Sequence, residues 1–249
     1  MPVRRRTFIG ATAALIGSAA SHRSFAQQPF RLSEEKLSEI AAKPIHRIDN
    51  LAKPVVIDSL ELLKNGLTYV SRVRTTDGAE GLAVANEARL SELYPVFVRR
   101  IAPFFVGKDA RRLETLLVEL YRHASSYKLQ GIGLWAPQAA AEMAILDLHY
   151  FGGYLRTIRV ARMANASGMP CTVHMSGSGL GYVDVCHLAS CIDDPGRHQE
   201  FKGESKIPVA CDTSSLRCEN GVVQVPNGPG YGVTIDPSFI KEAKVVTVA

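Results

Sequence analysis

The sequence predicts an α+β unit followed by a helix–strand–helix–strand run too short to close on itself. Three observations lead there. Residues 57–86 alternate side chains around a turn signal. Residues 96–148 carry apolar side chains at helical spacing. Residues 152–203 interleave two helical patterns with two short stretches that read as strands.

The first stretch, MPVRRRTFIGATAALIGSAASHRSFAQQ, stands apart from the fold. Arg4, Arg5 and Arg6 precede an uncharged run from Thr7 to Ala20, and Ser24-Phe25-Ala26 offers the small residues of a cleavage site. So short an apolar run does not span a bilayer stably, and RRTFIG resembles the twin-arginine type of export signal. Residues 1–26 therefore read as a signal peptide, with the mature chain in the periplasm. Removing Arg4, Arg5, Arg6 and Arg23 from a net charge of +5 leaves 5 − 4, about +1. That balance gives no warrant for a nucleic-acid partner, and no other segment predicts a membrane span.

The remaining elements follow in order. Residues 27–54 are polar and read as a loose arm. In β-type text from Ile57 to Asn86, Val70, Arg72 and Arg74 share one face while Tyr69, Ser71 and Val73 share the other, and Asp77-Gly78 marks a hairpin turn. Val96 to Phe105 is apolar with a polar break at Arg99-Arg100. Leu113, Leu116, Leu117, Leu120 and Tyr121 then line one face of a helix starting near Asp109. Pro137 suits the first turn of the next helix, which Ala139 to Leu148 would continue. After Gly152, Tyr154 to Ser167 is helical and ends at Gly168. Pro170 to Met175 is predicted as a strand, Leu180 to Ile192 as a helix, and Gln199 to Gly203 as a second strand. The tail from Asn220 to Ile235 holds two alternating stretches around a Pro/Gly turn. Five cysteines, Cys171, Cys186, Cys191, Cys211 and Cys218, match no metal spacing. They read as structural thiols, with Cys211 and Cys218 the tempting pair in an oxidising compartment.

Two residues stand out chemically. His174 ends one predicted strand and Glu200 lies on the next, one strand–helix repeat later. Parallel packing would put both side chains on the same rim. A His can accept a proton from carbon, and a buried protonated Glu can hydrogen-bond an oxygen gaining negative charge.

The segments YFGGYLRTIRVARMANASGMPCTVHMSGSGLGYVDVCHLAS, HQEFKG and ENGVVQVPNGPGYGVTIDPSFI resemble the C-terminal part of the mandelate racemase/muconate lactonizing enzyme group of the enolase superfamily. VRTTDGAEGLAVAN and WAPQAAAEMAILDL resemble that group's capping domain. The resemblance implies an α+β capping domain over residues 55–148 and an incomplete α/β (TIM-type) barrel remnant over 149–249, whose tail returns to the capping domain. It implies Mg²⁺-dependent removal of the proton beside a carboxylate, giving racemisation, dehydration or cycloisomerisation of a carboxylic or sugar acid. By the same resemblance His174 matches the base on the seventh barrel strand and Glu200 the acid on the eighth.

The resemblance also implies a gap. Several βα units should separate ILDL from YFGG, yet Leu148 and Phe151 are nearly adjacent. Those units would carry a Lys-x-Lys, three metal-holding carboxylates and an Asp that pairs with the His. No Lys-x-Lys occurs in the chain, and between Leu148 and Glu200 the acids are Asp184, Asp193 and Asp194. A (β/α)₈ barrel needs roughly 200–250 residues, whereas 249 − 148 = 101 remain. Two parallel strands would expose unpaired edges, and Val160, Met163 and Val173 would lack the layers they normally meet. No cofactor is therefore expected in this chain. The expectation is an internally shortened relative with little or no activity. A non-catalytic exported protein that binds a small acid, with Arg72 and Arg74 as ligand contacts, or that forms a homo-oligomer, is the alternative. A third is that the gene or its reading lost an internal segment. The Gly-rich loop from Ser176 to Gly181 fits neither G-x-G-x-x-G nor G-x-S-x-G, which argues against dinucleotide binding and serine hydrolysis.

Overall fold

Antiparallel pairing starts where the alternation starts. Strands β1 (Ile57–Asn65), β2 (Thr68–Thr75) and β3 (Glu80–Ala85) form a meander, with Leu63 opposite Val70 and Val70 opposite Val84. Gly78 turns the second hairpin at φ 91°, a conformation that a Cβ would strain. The computed structural model describes residues 32–129, 131–143, 152–174, 180–201 and 207–248. The expected leader, the junction at 144–151 and the loop at 176–179 lie outside the described residues.

Both faces of the sheet are covered, which explains its apolar content. On one face Leu60, Leu62, Tyr69, Val73 and Ala85 join a core built from helices. These are α2 (Glu87–Val96), a wide turn at Phe97–Ile101, α3 (Ala102–Phe105), α4 (Leu113–Arg122) and α5 (Ile132–Met143). Asn86 caps α2 by accepting the Arg89 amide at 3.0 Å. Pro95 and Pro103 lie on either side of the wide turn, and each removes an amide donor from the helical ladder. Leu113, Leu116 and Leu120 of α4 are buried as predicted, while Tyr121 stays 46% exposed. Each fully buried Leu or Phe contributes about 1.5–3 kcal/mol.

The opposite face meets the C-terminal part of the chain. Leu82 and Val84 pack on Leu180, Tyr182, Val183, Ile207 and Ile235. Lys244–Val245 pairs with β1 as β8 and completes a sheet of order β3-β2-β1-β8. Before it come four two-residue strands, β4 (Val209–Ala210), β5 (Cys218–Glu219), β6 (Val222–Val223) and β7 (Thr234–Ile235), and helix α8 (Pro237–Glu242). Residues 32–249 cluster as one compact unit. Among the described residues no barrel forms, and no helix is long and apolar enough to cross a membrane.

Four expectations need correction. The arm contains helix α1 (Glu34–Ala42), capped by the Ser33 hydroxyl on the Lys36 amide. Pro137 sits inside α5 rather than in its first turn, because the helix already begins at Ile132. Residues 170–174 and 199–201 form no strand ladder. A pair of parallel strands needs neighbours to satisfy its outer edges, and none pairs with these stretches among the described residues. Val173 nevertheless finds a core, 7% exposed among Tyr154, Ile158, Ala161, Val185, Leu188 and Ile192 of helices α6 (Tyr154–Ala166) and α7 (Gly181–Ser190) and the residues after them. Val160, by contrast, is 61% exposed. All five cysteines are free thiols, as the structural-thiol reading has them, and the alternative Cys211–Cys218 bond does not form.

Candidate functional site

Asn165, in the last turn of α6, anchors the site. Its carboxamide accepts the Asp194 amide at 3.0 Å and donates to the Met169 and Asp194 carbonyls at 2.9 and 3.0 Å. The Cys171 amide also donates to the Asp194 carbonyl at 2.9 Å. The chain leaving α6 and the chain leaving α7 therefore start side by side.

Gln199 keeps them together. Its Oε1 accepts the Val173 amide at 2.9 Å, and its Nε2 donates to the carbonyls of Cys171 and Pro195. The Thr172 hydroxyl donates to the His198 carbonyl at 3.2 Å. One side chain thus replaces the main-chain ladder of two parallel strands. Neither Gln199 nor Asn165 was singled out from the sequence. Both are common polar residues beside a helix end or a strand pattern, and no spacing marks them.

This alignment brings His174 and Glu200 together. The imidazole Nδ1 lies 2.8 Å from Glu200 Oε2, with the His side chain 74% exposed and the Glu side chain 27% exposed. With the proton on Nδ1, the imidazole donates, the carboxylate accepts, and Nε2 keeps a lone pair free to take a proton. In that state Glu200 supports the imidazole and has no proton of its own to offer a substrate oxygen. Two clefts lined by described residues, of about 330 Å³ and about 600 Å³, do not include the pair.

The carboxylates the site would need for a cation are elsewhere. Asp184 is buried in α7, while Asp193 and Asp194 are exposed beyond its end. Among the described residues, no three His, Cys, Asp or Glu side chains gather as a metal-binding group. The described residues do not by themselves make a site for the Mg²⁺ that the family implies. Arg72 and Arg74, considered as ligand contacts, are engaged on the sheet. Arg72 donates to Glu61 at 3.0 and 2.8 Å, and Arg74 to Glu80 at 2.8 Å.

Perturbed acids lie away from the pair and have structural causes. The Arg111 guanidinium hydrogen-bonds Asp109 and, against some burial, holds its carboxyl down at about 2 with help from the Val55 and Arg111 amides. Arg111 also donates to the Leu51 carbonyl at 3.0 Å, fastening the arm. Burial pushes Glu114 up, but the His46 and Ile45 amides and Arg159 outweigh it and hold its carboxyl below the usual range. Those bonds measure 2.9, 2.8 and 2.6 Å and tie the arm to α4 and α6. Shifted acids can mark active sites, yet ion-pair networks shift them too, and these two are clamps.

The sequence matches the enolase C-terminal domain-like family over residues 110–239, more than half of the chain. The chain belongs to that family. Arabinonate dehydratase of Saccharolobus solfataricus is 23% identical over 148 residues, 59% of this chain and 39% of that protein. D-Galactarolactone cycloisomerase of Agrobacterium fabrum is 28% identical over 123 residues, 45% of this chain and 32% of that protein. The aligned part of this enolase-superfamily chain thus spans two fifths or less of those relatives. Among solved structures, a racemase candidate from Roseobacter denitrificans superposes with a TM-score of 0.63 at 14% identity. That match covers 77% of this chain and 99% of the other. At such identity the likeness speaks for the fold alone.

Proposed function

We propose that this protein is an internally shortened enolase-superfamily member that retains the proton-transfer pair of its relatives without their cation site. The observation that carries the reading is the 2.8 Å contact between His174 and Glu200, formed in the absence of any gathered carboxylates among the described residues. The near adjacency of Leu148 and Phe151, between text resembling the capping domain and text resembling the last barrel units, supports the shortening.

The chemistry follows from charge. Taking a proton from carbon beside a carboxylate makes a dianionic enolate, tolerable only where fixed positive charge faces it. His174 can accept such a proton, but its neighbour is an anion, which supports the imidazolium and opposes the enolate. Little or no racemisation, dehydration or cycloisomerisation of sugar acids is the expected outcome. The export signal at residues 1–26 and a small carboxylic or sugar acid as ligand belong to the same proposal.

The test is exchange of the α-proton of sugar acids in D₂O with purified protein, with and without Mg²⁺. No exchange above buffer is expected. Exchange that depends on Mg²⁺ and is lost in His174→Asn would overturn the proposal. Resequencing the gene across the codons for Asp147 to Gly153 tests the shortening separately.

A further inference from the structure

The cleft of about 600 Å³ is lined by residues other than the His174–Glu200 pair. Ile40, Ile158, Ala161 and Ile192 give it an apolar floor. Lys43, Arg47 and Arg162 line it from the arm and α6, while Asp193 and Asp194 line it from the end of α7. Cys171 pairs with Asp194 at one end of the 171–174 segment and His174 with Glu200 at the other. Extended backbone advances about 3.3 Å per residue, so the two places are about 10 Å apart.

The charges are arranged unusually. Arg162 donates to the Lys43 and Pro44 carbonyls at 2.8 and 3.3 Å, which fixes its guanidinium against the arm. Among the described residues, the Asp194 carboxylate accepts the Gly196 amide at 3.2 Å and no side-chain donor. Lys43, Arg47, Asp193 and Asp194 are all exposed, and among the described residues no ion pair joins the cationic wall to the acidic one. Opposite charges that face a shared cavity without closing it suit a ligand with both charges and an apolar body. The volume falls within the usual range for small-molecule sites, roughly 300–1,000 Å³.

We infer that this cleft binds a small zwitterion, an α-amino acid with an apolar side chain. Its carboxylate lies toward Arg47 and Lys43, its ammonium toward Asp193 and Asp194, and its side chain over Ile158 and Ile192. Uncharged ends would forfeit one wall, and a dianion or dication would be repelled by the other.

The inference is tested on the full chain by calorimetric titration with L-leucine and two analogues. One is 4-methylpentanoate, which lacks the ammonium, and the other is 3-methylbutylamine, which lacks the carboxylate. Leucine is expected to bind at least about tenfold more tightly than either, a typical margin for one lost charge contact. Asp193→Asn should weaken leucine about tenfold and leave 4-methylpentanoate unchanged. Arg47→Gln should weaken leucine and leave 3-methylbutylamine unchanged. Both side chains are exposed, so the variants keep the fold. Equal affinity for all three probes, or no heat from leucine up to about 10 mM, overturns the inference.

Discussion

The sheet with its helices and the region from Tyr154 to Glu200 were both expected to form strands, and only the first did. In β1 to β3 every strand finds a neighbour through a tight turn, and the register of eight β1–β2 partner pairs follows the side-chain alternation. In the second region the stretches at 170–174 and 199–201, both predicted as strands, form no ladder. The difference is one of neighbours rather than propensity. Antiparallel pairing closes locally, whereas a parallel pair needs long crossovers and flanking strands to satisfy both edges. Here the side chains of Gln199 and Asn165 take over part of the hydrogen bonding that a barrel would supply.

Variants can break or sharpen this contrast. The largest effect belongs to the helical core beneath the sheet. Phe97→Ala removes a fully buried ring and should cost about 3–5 kcal/mol in urea unfolding. Glu114→Gln comes next, at about 1.5–3 kcal/mol, since it breaks the charge-assisted bond to Arg159 that ties α4 to α6. Acid should act in the same direction. Glu114 has a folded value below its ordinary 4.5, so its contribution is present above that value and is lost as pH falls through the folded one. Burial holds His46 below 6.5, against the pull of Glu114, so the folded state resists its protonation and stability also declines as pH drops below 6.5. A melting-temperature series from pH 7 to pH 4 should fall throughout, and Glu114→Gln should flatten its lower end.

Gln199→Ala is the sharper probe of the second region. Loss of the partner of the Val173 amide should cost about 1–2 kcal/mol. The same change should speed amide exchange at Val173 while leaving β2 unaffected. Equal protection of both segments in the variant would mean that the side-chain bridge is ornamental. The smallest effect is expected for Arg74→Ala, about 0–1 kcal/mol, since its ion pairs are partly exposed.

Much of the first region was legible in residues because local rules decide it. The Asp77-Gly78 turn, the two-face alternation from Tyr69 to Arg74 and the stripe from Leu113 to Leu120 each rest on near neighbours. Helix α1 was missed although Ser33, Glu34 and Glu35 write its start, because its weak apolar stripe packs nothing fully buried. The pairing of His174 with Glu200 has a different origin. Strand–helix spacing suggested a common rim, and the structure joins the two through Gln199 without any strands. Side-chain bridges of this kind leave no periodic trace in a sequence.

The proposal stands or falls on the absence of a tight divalent-cation site beside the imidazole of residue 174. Titration with Mn²⁺, a paramagnetic stand-in for Mg²⁺, while the ring protons of His174 are followed by NMR tests it most directly. The account predicts only the weak, unsaturable broadening that any exposed imidazole shows. Saturable broadening at one equivalent, reversed by excess Mg²⁺, would contradict it.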